Sequence, residues 1–199
     1  MPVNKFFDYK AHLSDDEGEE KSHGAYVSTY RAMHFEKVAN LREDLVRIPT
    51  QGEIFFLQSD SAFNAFTFIE LLVSSFRIKE LHATTYSISR KVIDAIIELH
   101  DRGAVEQVTL LISDSMIKRN PVTIDNLRAM ASTRPNVKVL YAWVHAKVCL
   151  LRTDQAHFVI EGSGNWSENA HYEQYLMVDD KGLYDFRMKL FTETKLKQY

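Results

Sequence analysis

The chain has 199 residues, the size of one domain with or without an appendage, and is 45% hydrophobic and 26% charged, a composition that suits a soluble protein with a real core. A formal net charge of −3 argues against a surface coated in basic charge for nucleic acid. No apolar run approaches the roughly 20 residues of a membrane-spanning helix, the opening MPVNKFFDYK lacks a signal-peptide core, and the single cysteine, Cys149, excludes an internal disulfide. A cytoplasmic protein with no membrane partner is therefore expected.

In chain order, residues 1–50 are polar and irregular, with an acidic run SDDEGEEK and a possible helix over 27–46. They are expected to be an N-terminal appendage, and residues 51–199 the catalytic domain. From Gly52 the pattern changes. EIFFLQ (53–58) is a short apolar run and predicts a buried strand. DSAFNAFTFIELLVSSF predicts a buried helix, with Asp60 or Ser61 as N-cap. ELHATTYSIS (80–89) is β-rich. SRKVIDAIIELHDRG carries Ile93, Ile96, Ile97 and His100 at helical spacing, with Gly103 as its stop. QVTLLIS (107–113) predicts a strand, PVTIDNLRAMAS a helix with Pro121 in its first turn, and NVKVLYAW (136–143) a strand. Strand and helix alternate, which implies an α/β sheet with parallel members.

The alternation stops at residue 144. HAKVCLLRTDQAHFVIEG predicts two antiparallel strands around a TDQA turn, YEQYLMVDD (172–180) another strand, and LYDFRMKLFTETKLK a closing helix. Side chains alternate faces along a strand, so His145, Lys147 and Cys149 share one face. Gly162, Ser163, Gly164 and Asn165 follow the second strand. The glycines would let backbone N–H groups approach a ligand, and a helical turn over WSENAHYEQ would add donors for an anion. An imidazole, an ammonium, a hydroxyl, an amide and free N–H groups suit attack on phosphate. Either half of the pattern alone is weak. A lone histidine is usually structural and a G-S-G-N run usually a turn, and His82, His100, His157, Trp143 and Trp166 take such bland readings, as structural, surface or core residues.

Together, His145-x-Lys147, an aspartate and Gly162-Ser163-x-Asn165 resemble the H-x-K-x4-D-x6-G-S-x-N pattern of the phospholipase D superfamily, over residues 53–195. There are two departures. Arg152 stands where the aspartate falls, with Asp154 in the turn as the nearest candidate, and the hairpin between Lys147 and Gly162 is longer. The resemblance implies a phospholipase D-like α/β fold, a mixed sheet flanked by helices on both faces. It implies a phosphohistidine on His145, phosphoryl oxygens held by Lys147, Gly162, Gly164 and Asn165, orientation by Ser163, and support for the histidine from Glu173. No metal or cofactor is implied. The mechanism needs two histidines and the chain holds one H-x-K, so a homodimer sharing one site is expected.

The small size and a basic stretch, Ser115 to Lys138 with Lys118, Arg119, Arg128, Arg134 and Lys138, favour nucleic acid, DNA ahead of RNA, over lipid. A nuclease is thus the first expectation. A non-catalytic nucleic-acid-binding or assembly module of the same fold, or a phospholipase, are the alternatives.

Overall fold

A computed structural model of the protein describes residues 47–59, 64–167 and 173–197. Most of the expected appendage, the helix expected over 27–46, the N-caps Asp60 and Ser61, and most of the turn expected at WSENAHYEQ lie outside the described residues.

The elements run β1 (Ile54–Ser59), α1 (Phe66–Val73), β2 (Ile78–Thr85), α2 (Arg90–Asp101), β3 (Val105–Ser113), α3 (Ser115–Arg119), α4 (Pro121–Ser132), β4 (Val137–Ala142), β5 (Val148–Arg152), β6 (His157–Gly162), β7 (Glu173–Asp179) and α5 (Lys181–Thr192). The long helices start and stop where local chemistry allows. Ser89 Oγ accepts from Val92 N–H at the start of α2, Asn120 Oδ1 from Thr123 N–H at α4, and Asp180 Oδ1 from Leu183 N–H at α5. Pro121 takes the first position of α4. Gly103, with φ of +75°, ends α2 in a conformation that a side chain would strain.

The seven strands form one mixed sheet in the order β1-β7-β6-β5-β2-β3-β4. β2, β3 and β4 are parallel, and every other pair is antiparallel. Alternation on the strands feeds two cores. Cys149, Leu151, Phe158 and Ile160 pack on one face with Phe68, Ile93, Ile96 and Leu127 of α1, α2 and α4. Val148, Leu150, Val159 and Val178 pack on the other with Tyr184 and Phe191 of α5. The mixed α/β sheet with helices on both faces is the expected fold.

Several details differ from expectation. α3, SMIKR, was not expected: five residues carry no readable period. β2 begins at Ile78 and ends at Thr85, so Tyr86 to Ser89 form a loop. α1 spans only Phe66–Val73, and its first N–H, on Phe66, donates to Asn64 Oδ1 at 3.0 Å.

Candidate active site

Parallel β2–β4 end, and antiparallel β5 begins, at the same edge of the sheet. Thr84 near the end of β2 faces Val148 at the start of β5. Gly162 at the end of β6 faces Tyr175 near the start of β7, and Ser59 at the end of β1 faces Glu173. The ends of β1, β2, β5, β6 and β7 thus lie on the side of the sheet outside the carboxyl ends of the parallel strands, where open α/β sheets commonly bind ligands.

His145 and Lys147 lie here, but on the extended segment that leads into β5 and not on the strand, which starts at Val148. The segment is pinned from beneath: Thr84 Oγ1 donates to the Ala146 carbonyl at 2.5 Å, and Gly162 N–H donates to the Lys147 carbonyl at 3.2 Å. His145 is exposed and Lys147 half-buried. Lys147 Nζ is 2.9 Å from His145 Nδ1 and 3.0 Å from the His145 carbonyl. Burial pulls the Lys147 ammonium below its ordinary range, and the Glu173 charge and Tyr86 act against that pull.

Ser163 stands across the cleft. Its Oγ donates to the Glu173 carboxylate and accepts from Gln174 N–H at 3.0 Å. The Glu173 carboxylate thus meets Ser163, where the resemblance implies support of the histidine. His145, Lys147, Gly162 and Ser163 line a cleft of about 810 Å³, together with Phe56 and Arg187. Arg187 is neutralised by Glu161 through two hydrogen bonds, one of 2.7 Å.

The glycines behave otherwise than expected. Gly162 N–H is committed to Lys147, and Ser163 N–H donates to the Gln174 carbonyl at 3.0 Å, so neither is left for an anion. A Cβ on Gly162 would meet the Tyr175 ring and lie 2.6 Å from the Gln174 carbonyl oxygen. The glycine is needed for close packing. Gly164 is buried and Asn165 half-buried, and neither is among the residues lining the cleft. The loop is fixed by Trp166, fully buried, whose N–H donates to the Ser87 carbonyl at 3.1 Å and whose carbonyl accepts from Ser89 N–H. Ser87 and Ser167 hydroxyls meet at 2.8 Å.

Asp154 is not brought to this site. It lies in the hairpin turn at the opposite end of β5, seven residues and roughly 20 Å from Lys147, with a 75% exposed side chain 3.7 Å from Lys79. Arg152, in the place of the motif aspartate, pairs with Glu80 at 2.5 Å, and Glu80 also meets His82 at 3.4 Å. The Arg152 hydrogen bond holds the Glu80 carboxyl low, and burial lowers His82 against the pull of Glu80. His157 stacks edge-on against Tyr184, and His100 meets Asp101. Cys149 shares the parity of Lys147 but is wholly buried, and burial pushes its thiol far above the ordinary range. Trp143, expected in the core, is 79% exposed. Arg134 in the basic stretch is taken by Asp101.

Sequence reading missed Thr84, Tyr86 and the Arg187–Glu161 pair. The signal for the first two is their place at the end of a strand that leads into a parallel sheet. Arg187 had none, since α5 reaches the cleft only through tertiary packing. Among the described residues, no three His, Cys, Asp or Glu side chains group as a metal site, and no helix is long and apolar enough to cross a membrane.

A mixed sheet that brings a histidine, a lysine and a serine together at one end defines a class, the α/β domains whose candidate site lies outside the carboxyl ends of the parallel strands. Comparison with known proteins makes the class a family. The family described as "Cardiolipin synthase, PLD-like domain" matches residues 69–193, more than half of the chain, which therefore belongs to the phospholipase D-like family. Among solved structures, the fold is similar to a polyphosphate kinase from Porphyromonas gingivalis, at 16% identity and TM-score 0.54, over 88% of this chain and 30% of that one. It is also similar to a phosphatidylserine synthase from Haemophilus influenzae Rd KW20, at 14% identity and TM-score 0.52, over 72% of this chain and 39% of that one. The chain spans less than half the length of either, and the likeness is one of fold. No curated protein sequence matches the chain.

Proposed function

We propose that the protein is a nuclease that hydrolyses nucleic-acid phosphodiesters, DNA ahead of RNA, through a phosphohistidine at a site shared by two copies of the chain. The observation that carries this is the pairing of exposed His145 with Lys147 at 2.9 Å in a cleft shared with Ser163. Imidazole is the nucleophile, and the ammonium is a preorganised charge for the non-bridging oxygens. A protonated Lys147 that donates to Nδ1 favours the tautomer with its proton on Nε2. A bound phosphate draws Nζ to its own oxygens and frees the ring to present a lone pair to phosphorus.

The step balances without a metal. A His145 nitrogen forms a bond to phosphorus as the P–O bond to the leaving strand breaks, and the leaving oxygen takes a proton from the partner subunit's His145. Water, losing its proton to that same second histidine, then attacks phosphorus, breaks the P–N bond and frees the phosphomonoester. Lys147 holds the oxygens, and Ser163, oriented by Glu173, fixes the wall of the cleft.

Nucleic acid is favoured by what surrounds the cleft. Lys118 and Arg119 follow β3, Trp143 follows β4 and Tyr86 follows β2, so cations and an exposed ring emerge at the carboxyl ends beside His145. An exposed indole suits base stacking.

A phospholipase is the second reading. Phe56, 79% exposed, lines the cleft with Leu57 and Leu176, an apolar wall that an acyl chain would fit. The family description and one structural neighbour name lipid synthases. A third, a non-catalytic module, rests on Arg152 in place of the motif aspartate. One panel separates them: single- and double-stranded DNA, RNA, bis(p-nitrophenyl) phosphate and phospholipid vesicles, each with and without EDTA. The proposal expects nucleic-acid cleavage. Release of headgroup from vesicles alone supports the phospholipase, and no turnover on any substrate supports the binding module.

A further inference from the structure

Beside the cleft lies a stacked group of side chains that no step above uses. The Arg119 guanidinium lies 4.3 Å from the centroid of the Tyr86 ring, and its Nη2 donates to the Tyr86 carbonyl at 3.4 Å. The other neighbour of that ring is the reacting histidine: the Tyr86 and His145 rings are 4.8 Å apart, tilted by 42°. The three elements that carry these residues are far apart in the chain and meet only because β2, β3 and the lead-in to β5 end at one edge of the sheet.

The charge of Arg119 is also unusual in its surroundings. Arg47, Arg77, Arg90, Arg102, Arg134, Arg152 and Arg187 each have a carboxylate within ion-pair distance. Arg119, exposed, has none among the described residues and rests on a ring and a carbonyl. Stacking on an aromatic face fixes a guanidinium in place while leaving its N–H fork to a ligand. A fixed fork free of carboxylate is suited to a phosphate.

We propose that Tyr86 and Arg119 form a second phosphate subsite, which takes the neighbouring phosphate of a nucleic-acid strand whose scissile phosphate lies at His145. This rests on the reading of the protein as a nuclease and adds how it selects a polymer. The two centroid distances laid end to end place the guanidinium within about 9 Å of the imidazole. That is the reach of one or two backbone steps, since charges follow at roughly 3.4 Å of rise per nucleotide when stacked and further when extended. A phospholipid with one phosphodiester offers nothing to this subsite. Tyr86 is a positioning residue, which holds the guanidinium through its ring.

The test compares wild type with Arg119→Gln, Tyr86→Leu and Tyr86→Phe on a single-stranded DNA 10-mer and on bis(p-nitrophenyl) phosphate, over a range of salt. Arg119 is exposed, so its variant is expected to fold, and thermal melts check all three. For Arg119→Gln the subsite predicts a rise in KM for the 10-mer of about five- to tenfold, at least threefold more than on the small diester. The slope of log KM against log salt should fall by roughly the one contact removed. Tyr86→Leu should reproduce the lowered slope, and Tyr86→Phe should keep the wild-type slope. Equal losses on both substrates, or an unchanged slope, overturn the subsite while leaving the nuclease reading in place. If wild type cleaves no phosphodiester, that reading fails, and the same slopes are taken from fluorescence anisotropy of the labelled 10-mer. No binding, or binding whose slope ignores Arg119, then overturns the subsite too. Tighter, Arg119-dependent binding of inorganic polyphosphate than of the 10-mer overturns nucleic acid as its ligand.

Discussion

The reaction proposed here depends on a few side chains whose neighbours differ sharply. His145 and Lys147 lie two apart on a pinned segment, and Lys147 is the charge nearest the imidazole. His145→Ala should abolish turnover with the melting temperature and substrate affinity nearly unchanged, since an exposed ring leaves without a cavity. Lys147→Ala should lose about a hundred- to a thousandfold in kcat, the usual cost of a preorganised donor to the transition state. Asp154→Ala should stay within about twofold, because its carboxylate is exposed at the far end of the hairpin. Steady-state kinetics on one oligonucleotide decides all three, and a crippled Asp154 variant with an active Lys147 variant would invert the assignment. The rate should be bell-shaped in pH, because one imidazole must be neutral to attack and the other protonated to donate. The two limbs belong to the pair.

Elements hold this site by their ends, which is why packing faults away from the chemistry should register. Gly162 closes β6 against β7. A methyl there would meet the Tyr175 ring and the Gln174 carbonyl, and Gly162→Ala should destabilise by about 1–3 kcal/mol in urea unfolding, the usual range for overpacking. A neutral result would mean that the strand ends give way more easily than their register suggests. A second contact fastens the end of α2 to the turn before β4. Arg134 bonds Asp101 at 2.6 and 2.7 Å, and that hydrogen bond holds the carboxyl down at about 2. The folded value is depressed, so the contribution is present above the ordinary aspartate range and lost as pH falls from about 4 toward 2. Asp101 is half-exposed, so screening keeps the contribution below about 1 kcal/mol. The stability gap between wild type and Arg134→Gln should therefore be open at pH 6 and closed near pH 2, as urea midpoints at the two values would show. A gap that widens on acidification would be the wrong sign.

Much of this scale was legible in the sequence. The periods of α2, α4 and the β5–β6 hairpin were plain, and so was the pairing of H-x-K with G-S-x-N. Asp154 could be placed in its turn, but its remoteness needed the strand between. What stayed hidden depends on contacts between distant segments: Thr84 under Ala146, Tyr86 against His145, Arg187 on Glu161. Glu173 was visible and its partner was not, since only the β1–β7–β6 register decides that it meets Ser163. Trp143 and Trp166 were indistinguishable as letters. One caps a strand in solvent and the other is the bolt of the G-S-G-N loop.

At the scale of the whole molecule, the chain brings one H-x-K to a proposed mechanism that uses two histidines. The proposal therefore requires a homodimer with its two-fold axis at the cleft, an isologous arrangement. Light scattering should give twice the mass of the 23.0 kDa chain, and specific activity should fall on dilution below the dimer constant. A monomer with dilution-independent activity would require another acid. On this proposal the shared site would double the positive potential, with Lys147 from each copy, and would take the place of a metal ion in stabilising the transferred phosphoryl group. The most direct test of this account is the cleavage of single-stranded DNA in excess EDTA by wild type and by His145→Ala, measured side by side. The account predicts an undiminished wild-type rate in EDTA and none in the variant. Activity that appears only with added magnesium or manganese, or that survives the loss of His145, would contradict it.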